Sequence, residues 1–450
     1  MNNLTDSTKS TKIKLSVLSG SRDVTPEISQ KAGRRLAVGR YVSDNDLTSG
    51  MNNNDLIIGC SGSGKTGGYV IPNIRRCHGS MVVTDTKGQL YHRLSKELSD
   101  AGYKVYLLDF IRPERSMGYN PLDYIQKKTD KSQTGQDGQN GSAYCTRDIV
   151  SLAHILCPIR QDDRDPFWQQ AAQTVITFLL AFTLEALVPE EHDMISVLNL
   201  FRQLCVPSGR AAIEQWCMDN PASFAAKKYG TFCGIYEADR TWACIQQFAS
   251  EALQIFDYEE ITPMFNNKDK SKLLDLHMIG REKTAVFLNI SDTNRYADQL
   301  VNLFYVQAMQ VLCEDADNIR PTGRLRIPVR FILDDFAANA YIENFDKLIS
   351  VIRSRNVSVS VILQNMTQLY SMYSEAEAST ILNNCDHILY LGGQDIQTAE
   401  YIGIRSNKTA ENILLMPRNK AYLLEKGSRG ELVDKIKPYA EDARKERDKL

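Results

Sequence analysis

The octapeptide Gly59-Cys60-Ser61-Gly62-Ser63-Gly64-Lys65-Thr66 follows the apolar run Leu56–Ile58 and opens an amphipathic segment. It has the pattern G-x-x-x-x-G-K-[ST] in a strand–loop–helix context, which leaves few folds open. Glycines let successive backbone N–H groups turn inward around phosphate oxygens, and the N-terminus of the following helix adds a favourable dipole. The spacing therefore predicts that Gly59, Cys60, Ser61, Gly62, Ser63, Gly64, Lys65 and Thr66 wrap the phosphates of a nucleotide. Lys65 is expected to reach the β- and γ-phosphates, and the Thr66 hydroxyl to be a Mg²⁺ ligand.

The pattern around the loop points the same way. Leu56–Ile58, Met81–Thr84, Val105–Leu108, Ala285–Ile290, Val329–Leu333, Val357–Leu363 and Ile388–Leu391 are compact runs rich in Val, Ile and Leu. Such runs mark strands buried on both faces. With helical spacing between several of them, they predict an α/β fold, a mostly parallel sheet with helices on both sides. Two stretches depart from this rhythm. Gln126–Ala143 is almost devoid of apolar residues and is expected to be a mobile loop. Thr146 to His277 reads as helices over Asp165–Val188, Met194–Leu204, Gly209–Met218 and Ala238–Phe256. The expected organisation is an N-terminal arm (1–54), a nucleotide-binding domain (55–145 and 278–450) and an all-alpha insertion (146–277).

Composition removes several classes of function. Hydrophobic residues at 43% and charged residues at 24% exclude a mostly disordered chain. A net charge of −2, from 53 basic and 55 acidic residues, gives no sign of one broad basic face coating nucleic acid. The segment between Lys9 and Arg40 is locally basic and reads as a solvated arm. Ten cysteines without a C-x-x-C pair, and no apolar leader, read as reduced thiols in cytosol. The most apolar stretch, Ala171–Val188, is interrupted by Gln173 and Glu185, so a buried helix is expected rather than a membrane span.

Three further signals carry chemistry. Val329–Leu333 ends in Asp334-Asp335, an apolar strand delivering two acids, as in the Walker B pattern. Asp334 is expected to hold Mg²⁺ through water, and Asp335 stands where an attacking water needs a base. Val359–Leu363 ends in Gln364, at the edge of the sheet where ligands bind, within reach of a γ-phosphate. Arg353 and Arg355 follow, two positions apart and so on different helix faces. At most one of them is expected to point at a neighbouring subunit's nucleotide. Arg353 is the candidate, since a right-handed crossover puts the return helix Tyr341–Arg353 at the sheet edge opposite its own phosphates.

Together these residues resemble the type IV coupling proteins of conjugation, the TraG/TraD-like ATPases, from about residue 55 to 440. The resemblance extends to Val82-Val83-Thr84-Asp85-Thr86-Lys87-Gly88, Tyr119-Asn120-Pro121-Leu122, Asp165-Pro166-Phe167-Trp168, Leu333-Asp334-Asp335-Phe336-Ala337, Ile352-Arg353-Ser354-Arg355, Ile362-Leu363-Gln364-Asn365 and Met416-Pro417-Arg418. It implies a RecA-like P-loop domain interrupted by an all-alpha domain. It also implies a homo-hexameric ring at the cytoplasmic mouth of a type IV secretion channel, driving DNA and its attached relaxase with ATP and Mg²⁺. The family's roles fall on Lys65 and Thr66 for phosphate and metal, Asp334 for metal, Asp335 as base, Gln364 as phosphate sensor, and Arg353 as the arginine supplied in trans.

Three departures accompany the match. Asp335 stands where members usually have Glu, and its reach is one methylene shorter. Thr86 and Gln89 replace the usual Pro and Glu. Members usually begin with membrane-spanning helices, and no such segment is legible here. The expectation is a cytosolic relative, or a chain recruited to the cytoplasmic face of the membrane by a separate anchor protein. Two other functions fit the same residues: a receptor for protein substrates that uses nucleotide as an assembly switch, and another RecA-like DNA translocase, of segregation or packaging.

Overall fold

The computed structural model describes residues 33–43, 50–128, 142–159, 166–266, 269–338 and 341–440. Most of the basic arm, most of the Gln126–Ala143 stretch and Asp165 lie outside them.

Eleven strands are present among the described residues: β1 (Arg34–Ala37), β2 (Arg40–Val42), β3 (Asp55–Ile58), β4 (Ser80–Asp85), β5 (Lys104–Asp109), β6 (Thr284–Asn289), β7 (Val329–Leu333), β8 (Val357–Leu363), β9 (His387–Tyr390), β10 (Lys420–Glu425) and β11 (Glu431–Asp434). Nine form one sheet in the order β11-β10-β9-β3-β8-β7-β4-β6-β5. From β9 to β5 all pairings are parallel, and β10 pairs antiparallel with both β9 and β11. The seven strands expected from apolar runs are the seven parallel strands. Their alternation places Leu56, Ile58, Val82, Phe331, Leu333 and Val361 in the core on one face. Ile57, Met81, Val83, Ile332 and Ile362 pack on the other.

The second face carries the helix that follows the octapeptide and the helix Gln89–Asp100. The latter buries Leu90, Leu94 and Leu98, one per turn. The first face carries the crossover helix Asp298–Asn318 and a helical region between β5 and β6. Among the described residues that region has no strand element. It contains helices Thr146–Leu156, Phe167–Ala186, Met194–Leu204, Pro207–Asp219, Phe224–Phe232, Asp239–Leu253 and His277–Arg281. Phe167–Ala186 is its axis, with residues from Ala172 to Leu184 buried on nearly every side. A helix surrounded by other helices can be apolar all round without meeting lipid. Among the described residues no helix is long and apolar enough to cross a membrane.

Four regions depart from the sequence reading. Residues 34–42, expected in a polar arm, form a β-hairpin whose Leu36 and Ala37 join the core, and Val38 N–H donates to Asp434 O at 3.0 Å. β10 and β11 extend the sheet beyond β9. Phe224–Phe232, weakly periodic and interrupted by Gly230, is a helix because Tyr229 and Phe232 pack on Phe178, with ring centroids 5.4 and 5.5 Å away. The return helix is Phe345–Val351, followed by a 3₁₀ turn Ile352–Arg355. It starts later than Tyr341 because Asn344 takes a left-handed conformation at φ 54°.

Candidate nucleotide-binding site

The site lies at the carboxyl ends of β3, β8 and β7. β8 sits between the strand that leads into the octapeptide and the strand that leads into the two acids. Its register pairs Ile58 with Leu363 and Leu333 with Val361. Gly59, Gln364 and Asp334 therefore leave the sheet along one edge, the edge where open parallel sheets bind ligands.

The loop is held open by its own backbone. Gly59 N–H donates to Leu363 O at 3.1 Å, and Cys60 N–H to Gly392 O at 3.0 Å. Gly62 and Gly64 have φ of 76° and 96°, a region closed to most side chains. From Lys65 the chain turns helical, first as a π-helical turn Lys65–Val70 and then as α-helix Ile71–Arg76. Lys65 is buried, and its ammonium donates to Gly59 O at 2.7 Å and Cys60 O at 3.3 Å. Ser63 Oγ is buried without a hydrogen-bond partner among the described residues.

Across the crevice, Thr66 Oγ1 donates to Asp334 Oδ2 at 2.9 Å. This bond joins residues 268 positions apart and is the central geometric fact of the site. Asp334 is 5% exposed. Burial pushes its carboxyl up to about 6, the neighbouring Asp335 adds to the rise, and Thr66 and Lys65 oppose it. A buried carboxylate beside a second acid fits a hard cation. A hydroxyl and a carboxylate are suitable oxygen ligands for Mg²⁺, but two are an incomplete set. Among the described residues no group of three or more His, Cys, Asp or Glu side chains converges on one point. The remaining ligands would be phosphate oxygens and water, the usual division for this ion.

Asp335 is half-buried and left-handed at φ 47°, with its N–H donating to Asp334 Oδ1 at 3.0 Å. An aspartate held there, just past a strand end in a ligand crevice, is the kind of strain that collects at functional positions. Gln364 is half-buried and lines a cavity of about 70 Å³ with Cys60, Tyr390 and Asp395. Its backbone N–H is held by Gln368 Oε1 at 3.0 Å.

Arg353 is elsewhere. It is exposed on the 3₁₀ turn before β8, at the amino ends of the strands, and lines a cleft of about 110 Å³ with Arg324, Pro328 and Asn356. The length of β8, about 20 Å at a strand's rise per residue, separates it from Gln364. Arg355 is tied off by a bidentate pair with Asp317 at 2.9 and 2.8 Å. Of the expected residues, Gly59 to Thr66, Asp334, Asp335 and Gln364 share one edge, and Arg353 does not join them within the chain.

One contributor had almost no sequence signal. The segment Lys435–Ala440, some 370 residues beyond the loop, runs over it, and Tyr439 N–H donates to Gly67 O at 3.2 Å. A hint lay in Gly67-Gly68, two glycines inside a helix, where each costs about 1 kcal/mol relative to Ala unless something needs the space.

A mainly parallel sheet with this loop at a strand–helix junction, and an aspartate meeting its threonine from a strand two places away, defines a RecA-like P-loop nucleotide-binding protein. The family model described as type IV secretory system conjugative DNA transfer matches residues 7–411. The chain belongs to that family. It is 22% identical over 383 residues to protein VirD4 of Rhizobium rhizogenes, covering 80% of this chain and 50% of that protein. It is 21% identical over 364 residues to conjugal transfer protein TraG of Rhizobium radiobacter, covering 80% and 53%. The chain thus spans about half the length of these curated relatives. Among solved structures it is similar to plasmid coupling protein TrwB in complex with ADP and Mg²⁺, with a TM-score of 0.63, 14% identity, and coverage of 92% of this chain and 93% of that one. For TrwB in complex with a non-hydrolysable ATP analogue the TM-score is 0.64 at 14% identity, covering 91% and 92%. At that identity the likeness shows the fold.

Proposed function

We propose that this chain is an ATP-driven motor of conjugative DNA transfer. The observation that carries the reading is the 2.9 Å contact between Thr66 and Asp334, which assembles the phosphate loop and the strand-end acid at one point. Family membership gives that chemistry its setting. One relative, TraG, is named a conjugal transfer protein, and TrwB was solved with ADP and Mg²⁺.

In this reading the N–H groups of Gly62 to Thr66 cradle the phosphates of ATP. Lys65 exchanges its two carbonyl contacts for phosphate oxygens, and its charge stabilises the leaving group. Thr66 and Asp334 hold Mg²⁺, which when bound neutralises charge on the phosphates. Asp335 orients or deprotonates water, and Gln364 reports on the γ-phosphate from the next strand end. Arg353 lies one strand length from its own loop, so it serves the nucleotide of the next subunit in a closed hexameric ring, where an arginine finger is worth about 10³–10⁵ in rate. The helices between Thr146 and His277 form an insertion domain that selects DNA, relaxase or channel components. The motor works at the cytoplasmic face of the membrane, recruited by an anchor.

The test is ATP hydrolysis by the full chain with and without single- and double-stranded DNA. Stimulation by DNA is expected. Hydrolysis indifferent to DNA would replace the motor with a nucleotide-switched receptor for protein cargo. For the trans arginine, mixed rings of Arg353→Ala and Lys65→Ala subunits should regain part of the activity that each variant loses alone. No rescue in rings shown to be mixed would return Arg353 to a surface role.

A further inference from the structure

The loop's neighbour is the chain's own C-terminal segment, and the glycines around the loop are shaped to receive it. A Cβ on Gly64 would lie 2.9 Å from Pro438 Cγ. One on Gly67 would lie 2.8 Å from Tyr439 Cε2, and one on Gly68 would lie 3.0 Å from Ile436 O. The segment is also anchored: Lys435 Nζ donates to Leu391 O, and Tyr439, left-handed at φ 58°, bonds Gly67 through its backbone. Such a conformation in a bulky aromatic residue is uncommon enough to need a reason. The Arg93 guanidinium lies 4.7 Å from the Tyr439 ring centroid, and the residue is still 44% exposed. Beside it is a cavity of about 240 Å³ running along the helix from Gly67 to Arg75, lined also by Arg35, Ile71, Lys435 and Ile436.

We propose that Tyr439 and this cavity form the nucleobase subsite, built to take a purine. The proposal rests on the phosphate reading of Gly59–Thr66 and names what the rest of the ligand meets. Gly67 is the first residue beyond those that hold phosphate, so the sugar and base of a bound nucleotide leave the loop where Tyr439 stands. An aromatic ring is a stacking platform for any base, the larger π-face of a purine gains most from it, and a base stacking on Tyr439 takes the place of the Arg93 guanidinium over the ring. The lining carries the donors Arg35, Arg75 and Lys435, of which Arg75 also pairs with Glu97 at 3.2 Å and Lys435 with Leu391 O, and no carboxylate of the described residues lines the cavity. Purine ring nitrogens are acceptors that such donors suit.

The proposal is tested by equilibrium binding of Mg-ATP, Mg-UTP and Mg-tripolyphosphate to the full chain and to Tyr439→Ala, Tyr439→Phe and Lys65→Ala. Tyr439→Ala should weaken ATP about tenfold, leave tripolyphosphate within about twofold, and flatten the preference for ATP over UTP. Tyr439→Phe should restore all three values. Unchanged ATP affinity in Tyr439→Ala overturns the subsite. A parallel fall for ATP and tripolyphosphate, unrescued by Phe, also overturns it and makes the segment a brace for the loop. Lys65→Ala separates the two readings: loss of both ligands there, with Tyr439→Ala unaffected, keeps the phosphate loop and removes the base site. Wild-type binding of both ligands by Lys65→Ala removes the phosphate reading and the subsite with it.

Discussion

Two buried aspartates at opposite edges of the same sheet have their carboxyls shifted in opposite directions. Asp55, at the start of β3, has no exposed surface. It accepts from Arg34 Nε at 2.7 Å, Arg34 Nη2 at 3.1 Å and Tyr69 Oη at 2.6 Å, with Arg330 Nη1 at 3.6 Å and His387 Nδ1 at 3.4 Å. Burial alone would raise its carboxyl, but the guanidiniums of Arg34 and Arg330 and the imidazole of His387 outweigh it and hold the group well below the usual carboxylate range. Asp334, at the end of β7, accepts from the Thr66 hydroxyl and the Asp335 N–H, yet burial and the Asp335 carboxylate outweigh these and Lys65 and push it up to about 6. The lesson is that burial does not set a carboxylate's behaviour; the partners folded around it do. At the amino edge the chain supplies those partners itself. At the carboxyl edge burial and the neighbouring Asp335 outweigh the help from Thr66 and Lys65, which suits the site to a cation. Tyr69 joins the two, since its hydroxyl reaches Asp55 from the same helix that begins with Lys65.

The comparison breaks most readily at Asp55. Asp55→Ala should strand the buried charges of Arg34 and Arg330 and destabilise the protein by about 3–5 kcal/mol, read from denaturant unfolding. A loss below about 1 kcal/mol would show that the cluster is not the balanced ion network its distances describe. Asp334→Asn should do the reverse, raising the stability of the nucleotide-free protein by about 1–2 kcal/mol while lowering hydrolysis by about 10²–10³. A destabilised Asn variant would mean that the Asp334 carboxylate is adequately compensated without a cation.

Asp335 tests whether the short acid beside Asp334 is chemical. Asp335→Asn should cut turnover by about tenfold or more, and Asp335→Glu should keep or raise it, since Glu extends the reach by one methylene. An Asn variant as active as the parent would make the position structural. The smallest expected effect concerns His277, whose Nδ1 lies 2.9 Å from Asp315 Oδ2. The bond with Asp315 raises its pKa. A raised imidazole favours the folded state fully below its unfolded pKa, and the benefit fades as pH rises through the folded value. Thermal unfolding should therefore show a modest stability advantage of the parent over Asp315→Asn at pH 5–6 that shrinks by pH 8. A difference constant across that range would remove the charge from the pair.

Much of this molecule is legible along the chain, because it is local. Buried parallel strands must be apolar on both faces, so Leu56–Ile58, Val329–Leu333 and Val357–Leu363 announce themselves. A loop that turns N–H groups inward needs glycine where φ is positive, so Gly62 and Gly64 do the same. Two acids at the end of an apolar strand stand out for a similar reason. β10 and β11, at the sheet's edge, and the helix Phe224–Phe232, made by aromatic packing, lack such a pattern.

Tertiary structure alone decided what depends on distance in sequence. It brought Thr66 within 2.9 Å of Asp334 and sent Arg353 to the far edge. It gathered Arg34, Asp55, Arg330 and His387 into one buried cluster and laid Tyr439 over Gly67. The physical reason is that a backbone conformation is specified by neighbours a few residues away. The charge balance and shape of a site are set by whichever strands and termini pack together, and periodicity carries no record of those partners.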